Sequence, residues 1–377
     1  TSTGSESGAL ATVEAYDPVT DTWSTQPSMP TPRWFHKATV VGGTIYVIGG
    51  TNALGQRIAT NEAFTPTPTP PPPGTTLMKI TVGASPLGAG ADTVLNRAYF
   101  ANSGSNNVSV IDTLNNNVVA TVAVGAPPSA VAVNPSTHRV YVLNHSTNSV
   151  TVIDGLTNTV QATIVMGPGP SGGGIAVNVS TNRIYAANHE QHTITVINGA
   201  TNAIIATVPG VGFKPVGVAV NESTDRIYVV SGWDATVKVI QRTAVPESHA
   251  VIATISVGSY GNQHPNMVAV NPALNRVYVI GVNSNSLYVI DGANNTLLQT
   301  VILPGAATSP NWVAADAGAG RVYVTRIVAD DVVFINDADN SVLGTHPVGD
   351  GPQGIALMPG RLYIALQNEG KVVVVTR

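Results

Sequence analysis

The stretch PSAVAVNPSTHRVYVLNHSTNSVTVIDGLTNTVQATIV (128–165) decides the fold of this chain. It contains four short apolar runs, SAVAVNP, RVYVLN, SVTVID and TVQATIV, which are rich in β-branched residues and separated by Asn, Gly, Pro, Ser and Thr. This composition is typical of four short β-strands joined by tight turns. Nowhere does the sequence show a long helical apolar period, so it predicts an all-β protein.

The same unit recurs along the chain. A proline precedes each copy of an Arg-apolar-Tyr triplet, and the triplet occurs seven times at spacings of 40 to 50 residues. The arginines of the triplets are Arg97, Arg139, Arg183, Arg226, Arg276, Arg321 and Arg361. Four strands per unit, repeated seven times, predict a seven-bladed β-propeller in which the tyrosines pack between blades.

The two ends of the repeat region complement each other. The last unit has only three strands and ends in KVVVVTR (371–377), whereas an unassigned strand, LMKITVG (77–83), precedes the first unit. We predict that these two strands pair and close the ring, which removes open sheet edges. Upstream, TPTPTPPPPGTT (65–76) favours an extended polyproline spacer. The predicted domains are therefore a β segment (1–64), a Pro-rich linker (65–76) and a propeller (77–377).

Four tetrapeptides of the repeat carry a resemblance to a known family. YVLN (141–144), YVTR (323–326), YFAN (99–102) and YAAN (185–188) resemble the YVTN family of β-propellers. The similarity extends over residues 77–377. It implies the propeller fold and a place among extracellular and surface proteins of bacteria and archaea, which share no common chemistry.

The N-terminal segment resembles a different repeat. VEAYDPVTDTW (13–23), MPTPR (29–33) and GGTIYVIGG (42–50) follow the kelch pattern, so residues 10–64 are similar to a partial kelch repeat. Little more than one blade is present, and one blade cannot close a ring. We expect a β-structured segment that is the tail of a longer kelch propeller or that pairs with another subunit. Alone, it would expose the apolar side chains of Val40, Ile45, Val47 and Ile48.

Candidate binding residues come from the predicted loops. The turns between second and third strands share one rim of a propeller with the connections between blades, and ligands usually meet that rim. We expect its polar and aromatic residues to lie on one face around the channel mouth. The candidate ligand-binding residues are His145, His189, His192, Trp233, Tyr260, His264, Arg326 and Gln367.

The histidines also raise the question of a metal site. His189 and His192 are three residues apart and His145 lies in the equivalent turn of the preceding unit, so converging imidazoles could bind Zn, Cu or Ni. The simpler interpretation is that they are solvent-exposed loop histidines. The sequence lacks HExxH, GxSxG and a calcium-loop motif, and Asp330–Asp331 is interpreted as a solvated turn pair. We therefore predict no catalytic residue, no metal site and no cofactor.

Charge and hydrophobicity argue against two classes of partner. With 17 Lys and Arg against 21 Asp and Glu, the net charge of −4 argues against a nucleic-acid partner, and the sequence has no apolar run long enough to span a membrane. We favour a non-catalytic extracellular or cell-surface module that binds a protein or surface polymer. It could also be a structural subunit of a filament that self-associates through residues 1–64. The alternative is an enzyme, such as a metal-dependent lyase, with its site on the loop rim.

Overall fold

A computed structural model describes residues 9–17, 22–26, 28–41, 44–64, 74–168, 173–258, 264–306 and 308–377. The chain forms two compact units, Thr1–Pro71 and Pro72–Arg377, called here the N-terminal unit and the propeller unit. Most of the Pro-rich linker lies outside the described residues. Every regular element among the described residues is a strand, so none of them is a helix that could cross a membrane.

The described part of the N-terminal unit contains two small antiparallel sheets. One pairs β1 (Val13–Asp17) with β2 (Thr22–Gln26), and the other has the order β3 (Lys37–Val41), β4 (Thr44–Ile48), β5 (Asn61–Phe64). The prediction of β structure is therefore confirmed for the described part of residues 1–64. Within these residues β3 and β5 are edge strands, because neither has a second neighbour in its sheet.

A buried arginine holds the three-stranded sheet to the segment before it. Arg33 is 1% exposed, forms an ion pair with Glu62 of β5, and donates from Nη1 to the Gly49 carbonyl at 2.9 Å. The apolar side chains that were expected to be exposed differ in their solvent exposure. Val47 is buried, Ile45 is half-buried and Ile48 is 47% exposed. The side chain of Val40 lies outside the described residues.

The propeller unit consists of seven four-stranded antiparallel sheets, which are blades 1 to 7 in the order of their first strands. The first strands are β7 (Pro86–Asp92), β11 (Pro128–Asn134), β15 (Ile175–Asn178), β19 (Pro215–Asn221), β23 (Pro265–Asn271), β27 (Pro310–Asp316) and β31 (Pro352–Met358). The second strands are β8 (Arg97–Asn102), β12 (Arg139–Asn144), β16 (Arg183–Asn188), β20 (Arg226–Ser231), β24 (Arg276–Gly281), β28 (Arg321–Arg326) and β32 (Arg361–Leu366).

The third and fourth strands complete each blade. The third strands are β9 (Asn107–Asp112), β13 (Ser149–Asp154), β17 (Thr193–Asn198), β21 (Thr236–Ala244), β25 (Ser286–Asp291), β29 (Asp331–Asn336) and β33 (Lys371–Thr376). The fourth strands are β10 (Asn117–Ala123), β14 (Thr159–Val165), β18 (Ala203–Val208), β22 (Glu247–Ser256), β26 (Thr296–Ile302), β30 (Val342–Pro347) and, for blade 7, β6 (Thr76–Thr81).

The blades form a closed ring. Each first strand packs against the first strand of the next blade, and β31 of blade 7 packs against β7 of blade 1. β6 pairs with β33, with Val374 opposite Met78 and Val372 opposite Ile80. The predicted seven-bladed propeller and its closure by one strand from each end are confirmed.

The Arg-apolar-Tyr triplet explains how neighbouring blades are joined. The seven tyrosines of the triplets are fully buried between blades. At the junction of blades 7 and 1, Tyr363 Oη and Arg361 Nη1 donate to the Thr113 carbonyl at 3.1 and 3.2 Å. Arg276 likewise donates to the Ala338 carbonyl of the next blade at 3.2 Å. Each acceptor lies in a turn between third and fourth strands, so the triplet joins a blade to the turn of its neighbour.

The turns between third and fourth strands are built on their Asp or Asn residues. Asp112 Oδ1 accepts from the Leu114 amide at 2.8 Å, and Asp154 Oδ1 accepts from the Leu156 amide at 2.9 Å. A short acceptor in this position satisfies the turn's own backbone. The acidic residues of these turns are therefore structural.

Blade 4 departs from the pattern and accounts for the longest repeat spacing. β21 and β22 are 9 and 10 residues long, and Glu247 at the start of β22 accepts from Arg183 Nε and Nη2 of blade 3, both at 2.8 Å. These bonds, with help from Arg242, lower the pKa of Glu247 to about 2. Here a carboxylate replaces the backbone carbonyl that accepts the triplet arginine in other blades.

Candidate functional site

The described candidate residues share one face of the propeller unit. In an antiparallel blade, the turn between second and third strands leaves from the same end as the connection to the next blade. We call this end the rim face and the other end the hairpin face. The second-to-third turns contain His145, His189, His192, Trp233 and Gln367; His264 lies in the connection before β23. Arg326 is the last residue of β28, and Tyr260 lies outside the described residues.

Four rings form a continuous row on the rim face, called here the aromatic cluster: His192, Phe213, Trp233 and His264. Successive ring centroids are 4.3, 6.2 and 5.9 Å apart, and Trp233 stands edge-on to both of its neighbours. Phe213 is 44% exposed and Trp233 is 42% exposed. Large aromatic side chains that are partly exposed to solvent and fixed on rigid blades are typical of binding surfaces.

The connection between blades 3 and 4 positions this cluster through its backbone. Asp234 Oδ2 accepts from the Phe213 amide at 2.7 Å, and His192 Nδ1 accepts from the Lys214 amide at 3.1 Å. Gly212 has a φ of 92°, and a Cβ there would lie 2.5 Å from the Ser231 side chain. The path of the loop therefore requires glycine, and the amide of Lys214 fixes His192 Nδ1 as an acceptor.

The charges beside the aromatic cluster neutralise one another. Lys214 Nζ lies 5.6 Å from the Trp233 ring centroid and 3.2 Å from Glu190 Oε1, and His189 Nδ1 lies 2.9 Å from the same oxygen. Burial lowers the pKa of His189, against the opposing effect of Glu190, while the hydrogen bond from His189 lowers the pKa of Glu190. At neutral pH, Glu190 is ionised and balances Lys214, while His189 is neutral.

A second feature, which we call the amide row, follows the cluster around the ring. Asn266 Nδ2 donates to Asn311 Oδ1 at 3.2 Å, Asn311 donates to Gln353 Oε1, and Gln353 Nε2 donates to Gln367 Oε1 at 2.5 Å. The first three residues follow the repeat prolines of blades 5, 6 and 7, so they lie at the rim end of the innermost strands. The row thus runs in one donor direction across three blades.

Arg326 departs from its predicted role. It is 3% exposed, and its Nε donates to Asp331 Oδ1 at 2.7 Å while Nη2 donates to Asp331 Oδ2 at 2.5 Å. The two residues are register partners across the β28–β29 turn. The prediction that Asp330–Asp331 is a solvated pair was wrong, because Asp331 is buried against the arginine and Asp330 Oδ1 accepts from the Gly351 amide at 3.1 Å. Arg326 holds the rim together and is not an open contact.

The histidines do not assemble into a metal centre. Among the described residues, no three His, Asp or Glu side chains are grouped closely enough to hold a metal ion, so His145, His189 and His264 do not converge on one point. His192 and His264 instead belong to the aromatic cluster, and His189 contacts Glu190.

Sequence reasoning included Gln367 but missed Phe213, Lys214 and the other three members of the amide row, which are Asn266, Asn311 and Gln353. A signal for the first two exists in VGFKP (211–215), where the equivalent connections read VGAPP (124–128) and VGDGP (348–352). A signal for the amide row exists in the Asn or Gln that follows the repeat proline in blades 5 to 7, whereas blades 1 and 2 have Leu87 and Ser129 there. Both are departures from the repeat, so the repeat pattern itself does not reveal them.

Comparisons with known proteins found similarity in the N-terminal sequence and in the fold. Residues 3–30 and 32–67 match the kelch motif. A 58-residue segment is 36% identical to Kelch-like protein 33 of Homo sapiens, which is 15% of this chain and 11% of that protein. The chain thus spans about a tenth of the length of this curated relative.

Two solved structures share the propeller fold. A hydrazine synthase of Kuenenia stuttgartiensis superposes with a TM-score of 0.66 at 17% identity, covering 79% of this chain and 97% of that one. A streptogramin B lyase superposes with a TM-score of 0.67 at 13% identity, covering 79% and 96%. At these identities the similarity shows the fold alone. A propeller fold together with kelch motifs is typical of protein-binding modules.

Proposed function

We propose that this chain is a non-catalytic binding and assembly module that acts outside a bacterial or archaeal cell or on its surface. Its YVTN-like repeats provide a rigid scaffold, and the rim face of the propeller unit binds a protein or surface polymer. The N-terminal unit provides self-association within a larger extracellular assembly or filament. The resemblance to YVTN propellers supports the location, and the kelch motifs support a binding role.

The aromatic cluster carries the proposal. Phe213 and Trp233 leave about two-fifths of their surfaces open, although both are fixed by contacts to neighbouring loops. Aromatic side chains held in this way lose little conformational entropy when a partner covers them. They therefore provide binding energy without a large ordering cost.

The ionisable groups of the rim support binding over acid–base catalysis. Lys214 and His189 contact Glu190, Arg326 is paired with Asp331, and these contacts hold loops in place. A general acid or base must instead reach a substrate proton at hydrogen-bond distance. The geometry of these groups fits a scaffold.

The test is adsorption of the labelled full chain to bacterial and archaeal cell-envelope preparations, measured by co-sedimentation. The double variant Phe213→Ser/Trp233→Ser should lose most of the adsorption, because it removes both exposed rings. Val94→Ser/Leu274→Ser is the matched control, since these exposed side chains lie in first-to-second turns on the hairpin face. Equal adsorption of both double variants, or no adsorption of the unmodified chain, would contradict the proposal.

A further inference from the structure

We infer that the rim face of the propeller unit binds a neutral glycan, which stacks sugar rings on Phe213 and Trp233 and hydrogen-bonds its hydroxyls to the amide row. The inference rests on the proposed function, because it names the ligand class of the same face. The proposed site combines the apolar aromatic cluster with the polar amide row, which lies on the blades that follow.

The aromatic cluster supplies the apolar part. A sugar ring presents a flat patch of C–H groups on one face, and such a patch packs against an aromatic ring without needing a charge. Beside the cluster, a cavity of about 310 Å³ is lined by His192, Gly210, Gly212, Phe213 and Lys238. This volume is at the lower end of the range for ligand pockets, about 300–1,000 Å³. It suits one or two sugar units better than a folded element of a protein.

The amide row supplies the polar part. A side-chain amide has two N–H donors and a carbonyl that can accept two hydrogen bonds. Asn311 uses one donor and one lone pair within the row and is half-buried, so it keeps donor and acceptor capacity for a ligand, whereas Gln353 is 5% exposed and holds the row in place. A sugar hydroxyl both donates and accepts, and adjacent hydroxyls need alternating partners. A row of uncharged amides that all run in one direction matches this requirement.

His264 joins the two parts. Its ring lies 5.9 Å from Trp233, and it is followed directly by Pro265 and by Asn266, the first residue of the amide row. The surface therefore changes from stacking to hydrogen-bonding groups between blade 4 and blade 5. An extended polymer that crosses this boundary can use both.

Most charges near the aromatic cluster are balanced within the protein, which favours a neutral ligand. Lys214 is balanced by Glu190 at 3.2 Å and Arg326 is buried against Asp331, whereas Lys238 of the cavity lining donates to the uncharged Thr254 Oγ1 at 3.1 Å. An anionic polymer would have to compete with these carboxylates. Protein interfaces are enriched in exposed Arg and Met beside aromatic residues, whereas the arginine of this rim is withdrawn and the polar groups are amides.

The experiment begins with soluble polysaccharides as probes. The full chain is run in affinity electrophoresis through gels containing mannan, glucomannan, dextran or a β-1,4-galactan, which all contain vicinal diols, and through gels containing the anionic polymer alginate. We expect retardation by at least one neutral polysaccharide and none by alginate. Phe213→Ser/Trp233→Ser should weaken the affinity by about tenfold or more, and Asn311→Leu by several-fold. Val94→Ser/Leu274→Ser should bind as the unmodified chain does, and a thermal melt of each variant checks folding.

Treated envelopes separate a glycan from a protein ligand. Periodate cleaves vicinal diols of sugars, so it should abolish rim-dependent adsorption, while prior protease digestion of the envelopes should leave adsorption intact. If protease abolishes adsorption and periodate does not, the ligand is a protein and the inference is overturned, although the proposed binding function stands. Retardation by alginate alone, or retardation that the rim variants do not change, also overturns the inference. Absence of all adsorption overturns the proposed function as well.

Discussion

Arg326 illustrates how a single side chain on the rim can serve the fold. Its guanidinium is enclosed by Asp331, by the Pro304 carbonyl and by Thr308 Oγ1 at 3.4 Å. Removal of one partner of a buried ion pair leaves an uncompensated charge, which typically costs about 3–5 kcal/mol. Asp331→Asn should therefore lower the free energy of unfolding of the propeller unit by about 3 kcal/mol in urea titrations.

The matched test replaces both partners. Arg326→Met/Asp331→Val removes both charges together and should be clearly more stable than the sum of the two single variants predicts, because no buried charge is left. Additive losses in the double variant would show that the pair is not coupled. The sequence did contain the cue for this pair, an acidic residue five positions after the arginine, but its burial depends on neighbouring loops that the sequence alone does not place.

At the level of elements, the edge strands of the N-terminal unit are the proposed site of self-association. Within the described residues β5 has a partner on one side only, and a free edge is a template for another chain. Ala63 lies in β5 and its side chain is exposed. Ala63→Pro removes a backbone donor from this strand, so it should reduce the concentration-dependent self-association of the full chain, measured by light scattering.

Ala63→Ser keeps the backbone donor and is the control for the side-chain change. It should associate as the unmodified chain does. A monodisperse monomer in all three samples would contradict a role of the N-terminal unit in assembly, and an equal mass for Ala63→Pro and the unmodified chain would place the contact elsewhere.

At the level of the whole molecule, stability depends on the seam between β6 and β33. Val372, Val373, Val374 and Val375 of β33 are fully buried. Deletion of residues 371–377 removes this strand and leaves β6 without its neighbour. We expect the truncated chain to lose the cooperative melting transition of the propeller unit in calorimetry, and a synthetic peptide of residues 371–377 to restore part of it. A transition unchanged by the deletion would refute closure as the source of cooperativity.

The sequence predicts the fold of the propeller unit well because the ring is built from similar blades. Each blade packs against its neighbours in the same way, so the Arg-apolar-Tyr triplet and the proline recur in every unit. Their recurrence reveals the number and order of the strands and the position of the seam. The face of each loop also follows, because it is fixed by topology. The site itself depends on departures from the repeat. The contact between Phe213 and Trp233, and the bonds from Asn266 through Asn311 to Gln353, form between blades at positions where the repeat gives no rule.

The seam also sets how the protein responds to mechanical load. Thr376 N donates to the Thr75 carbonyl at 3.0 Å, and Thr75 N donates to Thr376 Oγ1 at 2.8 Å, so the linker enters blade 7 at the end where β33 finishes. We therefore expect tension between the linker and Arg377 to peel β6 from β33 one hydrogen bond at a time, starting at these two, without shearing the whole ladder at once. Because blade 7 combines strands from both ends of the propeller unit, we expect it to open before the other blades. When the pull relaxes, β6 is still joined through residues 82–85 to β7 of blade 1, so we expect it to pair with β33 again and close the ring.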